Sequence, residues 1–209
     1  WKRGIEMMSI QYVFGGIEWV DAEYLDLLGL GRWLFLYSVF LFVFTLTISE
    51  RRKMLPFTLY RYTTFTRWWH HNWWNSIQRV LIWYAIAIIL CTIISGWQIT
   101  QQDIRVILLY LVHILSACAV VGFVNFVSYR SKIVLYLIVW EGISYILSVH
   151  ENCAWLVSGM YVRSAAYIKH GFSNLVVCGL KLIVIVVCYA AVVRLWKRGF
   201  VDGREKQYD

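Results

Sequence analysis

Five apolar runs, near 31–49, 77–96, 104–127, 132–149 and 172–195, each approach the roughly 20 residues that a helix needs to cross about 30 Å of hydrocarbon. No other feature constrains the chain as much. The apolar character runs all round each prospective helix instead of forming one stripe, so these segments do not fit a water-soluble core. A hydrophobic fraction of 60%, a mean hydropathy of +0.60 and a single proline agree, since soluble domains run about 45–50% apolar. The expected fold is an all-α polytopic membrane protein, a single transmembrane domain over 1–209. It is a bundle of five transmembrane helices, or six if a span precedes this numbering.

Three basic clusters punctuate the runs: Glu50-Arg51-Arg52-Lys53, Tyr129-Arg130-Ser131-Lys132 and Arg194-Leu195-Trp196-Lys197-Arg198. Short loops rich in Lys and Arg stay cytoplasmic. This rule places the segment 50–76, the turn 128–131 and the tail 196–209 inside, with the C-terminus cytoplasmic. Glu6, Glu18, Asp21, Glu23, Asp26, Asp103 and Glu151 then share the outer side. The net charge of +8 is therefore assigned to orientation and anionic lipid headgroups, not to nucleic acid, because the basic residues sit at span ends. Of the five cysteines, Cys91, Cys118, Cys178 and Cys188 lie in apolar runs and read as small buried hydrophobes. Cys153 alone falls in a loop.

Residues 1–30 are expected to be an external amphipathic segment at the outer interface, since Ile17, Val20, Tyr24, Leu27 and Leu28 recur at helical spacing. A rival reading makes Ile5–Val20 a sixth span, a poor one given Glu6, Gln11, Gly15, Gly16 and Glu18. The cytoplasmic loop 50–76 interleaves Phe57, Tyr60, Tyr62, Phe65, Trp68, Trp69, Trp73 and Trp74 with Arg61, Arg67, His70 and His71. Indole and phenol rings settle at the headgroup level with arginine beside them. The loop is expected to hug the membrane as a short interfacial helix, or to dock another subunit.

Three ionisable residues fall inside spans. His113, Glu141 and Lys181 each lie about nine residues from a membrane edge, near the midplane at about 1.5 Å rise per residue. A charge at that depth costs at least about 2.5–3.5 kcal/mol, so each should face the bundle interior and find a partner. Glu141 and Lys181 are the expected pair, with Asn125 nearby. This intramembrane polar element reads either as part of a translocation path or proton relay, or as a neutralised pair that fixes helix packing.

Signatures of catalysis are missing from the sequence: a Walker-type phosphate loop, a His-Glu-x-x-His zinc helix and a Gly-x-Ser-x-Gly elbow. For Gly171-Phe172-Ser173-Asn174 no histidine is placed to serve as the base of the serine. Haem would need a second intramembrane histidine, whereas His70, His71, His150 and His170 fall in loops or at interfaces. No catalytic, cofactor-binding or metal-ligating residue is assigned. The external segment His150–His170 holds Trp155, Leu156, Val157, Met160 and Tyr161. It is too apolar for a free loop and too short for two spans, so a re-entrant hairpin turning at Gly159 is expected.

The order of these parts resembles the permease subunits of type-2 ABC transporters, particularly the small bacterial permeases that export, or give immunity to, lantibiotic-like peptides. The likeness rests on the acidic external segment, the span ending in Glu50-Arg51-Arg52-Lys53, the stretch from Tyr60-Arg61-Tyr62 to Arg67-Trp68-Trp69, and the tail beginning Trp196-Lys197-Arg198. The resemblance implies six spans, a coupling helix around Leu55–Trp69 and re-entrant helices over about Val149–Phe172. It also implies a partner permease, a second copy or a related chain, and a cytoplasmic ATPase that carries the ATP and magnesium. Arg61, Tyr62, Arg67 and Trp69 are the residues expected to meet that ATPase. The protein would sit in a bacterial cytoplasmic membrane, in contact with lipids and without an enzymatic activity of its own. The reading from another class is a non-transporting membrane sensor, anchor or assembly subunit.

Overall fold

The computed structural model of the chain describes residues 10–16, 27–62, 64–94, 99–128, 133–147, 159–161 and 173–197, and every regular element among them is helical. Four helices are long and apolar enough to cross a membrane. They are α2 (Leu27–Lys53), α4 (Phe65–Ile94), α5 (Gln101–Ser128) and α7 (Asn174–Lys197). The remaining expected span is represented by α6 (Ile133–Leu147), whose 15 residues reach about 22 Å. That is less than the hydrocarbon thickness, so among the described residues four helices reach membrane-crossing length and α6 does not. Shorter elements are α1 (Ile10–Phe14), α3 (Leu55–Thr58) and a 3-10 turn, Leu59–Arg61.

Local chemistry sets several boundaries. Thr100 and Asp103 form a capping box at the start of α5: the Asp103 amide donates to Thr100 Oγ1 at 3.2 Å, and the Thr100 amide donates to Asp103 Oδ2 at 2.7 Å. Ser173 caps α7, its Oγ accepting from the Val176 amide at 3.3 Å, which gives this serine a structural role. Between α2 and α3 the chain bends at Met54. Pro56, in the first turn of α3, cannot donate to a continued α2 ladder and is tolerated at a helix start.

Each long helix buries one stripe and leaves apolar side chains on the rest. In α2 the buried residues Trp33, Tyr37, Phe40, Leu41, Phe44 and Ile48 follow helical spacing, while Phe35, Phe42 and Leu46 are exposed. An outward face of that kind is what hydrocarbon solvates. The most extensive helix pair is α5 with α7; α2 packs on α4, α5 and α6, and α1 on α5.

The aromatic-basic stretch 50–76 is not one loop. Helix α2 continues to Lys53 and α4 begins at Phe65, so only Met54 to Thr64 connect them. The polar residues that mark a loop in the sequence lie on one side of a continuous helix. Arg67, His70, His71 and Trp74 are exposed, whereas Phe65, Trp68, Trp69 and Trp73 are buried. The rings knit one end of the bundle: Phe65 stacks on Trp196 of α7 with centroids 4.0 Å apart, and Trp69 lies 5.8 Å from Phe126 of α5. Trp73 fills the space over Gly122, where a Cβ would come within 2.4 Å of its ring. These tryptophans are interior packing and not interfacial anchors.

The other end receives α1. Instead of lying at an outer interface, Ile10 and Phe14 are buried in the bundle, with Phe14 5.4 Å from Tyr84 and 5.3 Å from Tyr110. The helix stops at Gly15 and Gly16, the latter at φ +95°, a conformation that glycine adopts without strain. The expected amphipathic stretch from Ile17 through Tyr24 lies outside the described residues, as do Cys153 and most of the expected re-entrant hairpin.

Candidate functional site

The three expected intramembrane polar residues do converge, but not as a direct Glu–Lys pair. Helix α6 supplies Glu141 and α7 supplies Lys181, and each helix packs on α5, which presents His113 between them. Lys181 Nζ lies 2.8 Å from His113 Nδ1, and His113 Nε2 lies 3.2 Å from Glu141 Oε1. An ammonium has only donors, so Nδ1 accepts and the imidazole proton sits on Nε2, facing the carboxylate. That second contact is close in distance but not aligned as a hydrogen bond.

The fourth member was not singled out in the sequence. Trp33 of α2 donates its indole N–H to Glu141 Oε1 at 3.0 Å. One turn further along, Tyr37 stacks on the His113 ring at 5.3 Å and 29°. A tryptophan near the start of a span, with a tyrosine four residues on, was the available signal, because buried indole N–H groups need an acceptor. Tyr110, one turn before His113, meets Trp33 edge-on at 4.9 Å. The Tyr110 and Ser144 hydroxyls are buried with no protein partner, the latter one turn beyond Glu141 on α6.

The cluster is packed on its remaining side by the described part of the α6–α7 connection. At Gly159 a Cβ would lie 2.5 Å from His113 Cγ and 2.7 Å from Nδ1. Glycine stands there because the backbone passes against the imidazole, a closer approach than any side chain permits; a positive φ is not the reason. Met160 is fully buried and rests on Gly16, where an added Cβ would come within 2.6 Å. Asn125 does not join the cluster: it is buried about 18 Å further along α5.

Of the residues expected to contact a partner ATPase, Arg61 and Arg67 are exposed and Tyr62 is half-buried with its ring 5.6 Å from His71. Trp69 is a core residue, so its expected contact is corrected by its burial against Trp73 and Phe126. Among the described residues no group of His, Cys, Asp and Glu is arranged to hold a metal ion.

Among the described residues, fold and cluster together define an all-helical arrangement with four helices of membrane-crossing length around a buried Trp–Glu–His core that meets the half-buried Lys181. No protein-family model, no curated protein and no solved structure matches the chain.

Proposed function

We propose that the chain is the membrane-spanning permease subunit of an ABC transporter, moving a peptide or another amphipathic substrate with energy from a separate ATPase. The observation that carries this reading is the elbow between α2 and α4. A basic helix end, Arg51-Arg52-Lys53, leads into the Pro56-containing α3 and a 3-10 turn, with Met54, Phe57 and Arg61 exposed. A short helical knob of mixed apolar and cationic character between two spanning-length helices suits a groove with apolar and acidic walls. The resemblance implies a coupling helix in this stretch, around Leu55–Trp69. ATP and magnesium would bind the partner. Alternating access would involve a second copy of this chain or a related permease, in a bacterial cytoplasmic membrane with the basic end and C-terminus inside.

The test is co-purification from the native host. An ATPase should accompany the wild-type chain and be reduced by the double change Arg61→Ala and Tyr62→Ala, while membrane insertion is retained. Absence of any ATPase from the wild-type complex would leave the non-transporting membrane module as the reading. One observation favours that alternative: the imidazole of the polar cluster is packed by Tyr37, Tyr110 and Gly159, as in a pair that fixes helix packing.

A further inference from the structure

The Lys181–His113–Glu141 line is more than an ion pair, because the group between the charges is one that can pass a proton. Lys181 donates to Nδ1 at 2.8 Å, and the Nε2 proton faces Glu141 Oε1 at 3.2 Å. We propose that this cluster is an internal proton-transfer site, at which the ion pair of the buried Glu141 and the half-buried Lys181 discharges through the imidazole. One Nζ–H bond of Lys181 breaks as its proton bonds to Nδ1, and the Nε2–H bond breaks as its proton passes to the Glu141 carboxylate. The products are a neutral amine, a carboxylic acid and an imidazole of the opposite tautomer. No proton enters or leaves, and the net charge of the cluster does not change.

The fold gives this step a use. Glu141 and Lys181 stand on α6 and α7, which meet through α5, so a rearrangement of either helix against α5 would separate two charges in surroundings that penalise bare charge. Transfer first removes both charges. Stacking of Tyr37 and the close passage of Gly159 oppose rotation of the imidazole, so the ring returns by the reverse transfer. The site thus alternates between two states and does not conduct. In the ionised state the ring proton stands close to Glu141 Oε1 without hydrogen-bond alignment, and this state exchanges with a populated discharged state. The other titratable groups around the cluster are Tyr37 of α2, Tyr110 and Cys118 of α5, Tyr84 of α4, Cys178 of α7 and Tyr161 beside Met160. Phenols and thiols are ordinarily neutral near pH 7, which leaves Lys181 and Glu141 as the charges. The proposal does not depend on an ATPase partner.

Infrared spectroscopy of the full chain in lipid bilayers tests it. A carboxylic-acid C=O band, assigned to Glu141 by its loss in Glu141→Gln, is expected in the wild type. Its intensity should be unchanged between about pH 5 and about pH 8, because the transfer consumes no proton from solution. In His113→Gln the band should vanish, since an amide offers a donor and an acceptor yet cannot exchange them. If that variant does not insert, Lys181→Met serves, as it removes the proton source. Nitrogen NMR of labelled histidine in the wild type should show the His113 proton on Nε2 in the ionised state. The proposal is overturned by the absence of a Glu141 acid band, by a band that titrates like an independent carboxyl group, by its persistence without His113 or Lys181, or by a His113 proton found on Nδ1 alone.

Discussion

His113 changes what the flanking charges require of each other. Removing one member of a buried pair leaves the other uncompensated and costs roughly 3–5 kcal/mol, whereas removing both is often close to neutral. Glu141→Gln and Lys181→Met should therefore each lower the unfolding temperature of the detergent-solubilised protein. The double variant should recover much of the loss but not all, because Nδ1 is left without its donor, at about 1 kcal/mol. Losses that simply add would show that the imidazole does not link the two. Glycine 159 makes a separate demand on the same ring. Gly159→Ala sets a methyl group against His113 Cγ and should cost about 1–3 kcal/mol through overpacking, read as a lower melting temperature. The same change at Gly31, which has nothing within 4 Å of its Cβ position, should not destabilise and serves as the control.

At the scale of elements, what the sequence revealed and what it concealed follow from the same property. All-round apolarity identifies α2, α5 and α7 because it is local and independent of what each helix packs against. The first turns of α4 were missed because Arg67, His70 and His71 break the run, although a helix can hold them on one face while Trp68, Trp69 and Trp73 turn inward. Which face is inward depends on Phe126 and Trp196, about 60 and 130 residues away in sequence, and local pattern does not carry that information. The cluster was legible in part for a similar reason. Depth along three spans picked out His113, Glu141 and Lys181, but only the packing of α6 and α7 on α5 puts the histidine in the middle and brings Trp33 to the carboxylate. The distinction at α4 is measurable. Trp69→Ala should cost about 3–5 kcal/mol, as a buried aromatic does, while Thr66→Ala on the exposed face should stay within about 0.5 kcal/mol. Equal, small effects on thermal stability would mean that Trp69 faces outward after all.

For the whole molecule, the ring contacts fix which helix ends lie together before any orientation rule is applied. Arg52 of α2 lies over Phe126 near the end of α5, and Phe65 at the start of α4 meets Trp196 at the end of α7. Four spanning-length helices thus bring Arg51, Arg52, Lys53, Arg67, Arg194 and Lys197 to one end. Part of that basic character has a structural explanation, since cations in the last turns of α2 and α7 favourably meet the negative ends of the helix dipoles, at about 0.3–1 kcal/mol each. Arg67 has no such explanation, because it stands in the first turn of α4, where a positive charge is disfavoured. Its place beside the other cations agrees with a cytoplasmic face, where Lys and Arg accumulate. Labelling decides the point. Met54 and Ile99 are both exposed at opposite ends of the described bundle, and Cys91 and Cys118 are buried. In a Cys153→Ser background, a membrane-impermeant maleimide applied to intact cells should modify Ile99→Cys and leave Met54→Cys untouched until the cells are permeabilised. The opposite result would turn the molecule over, and with it the elbow at Met54 would face away from any cytoplasmic ATPase. Labelling of both sites in intact cells would break the alternation of the helices across the membrane.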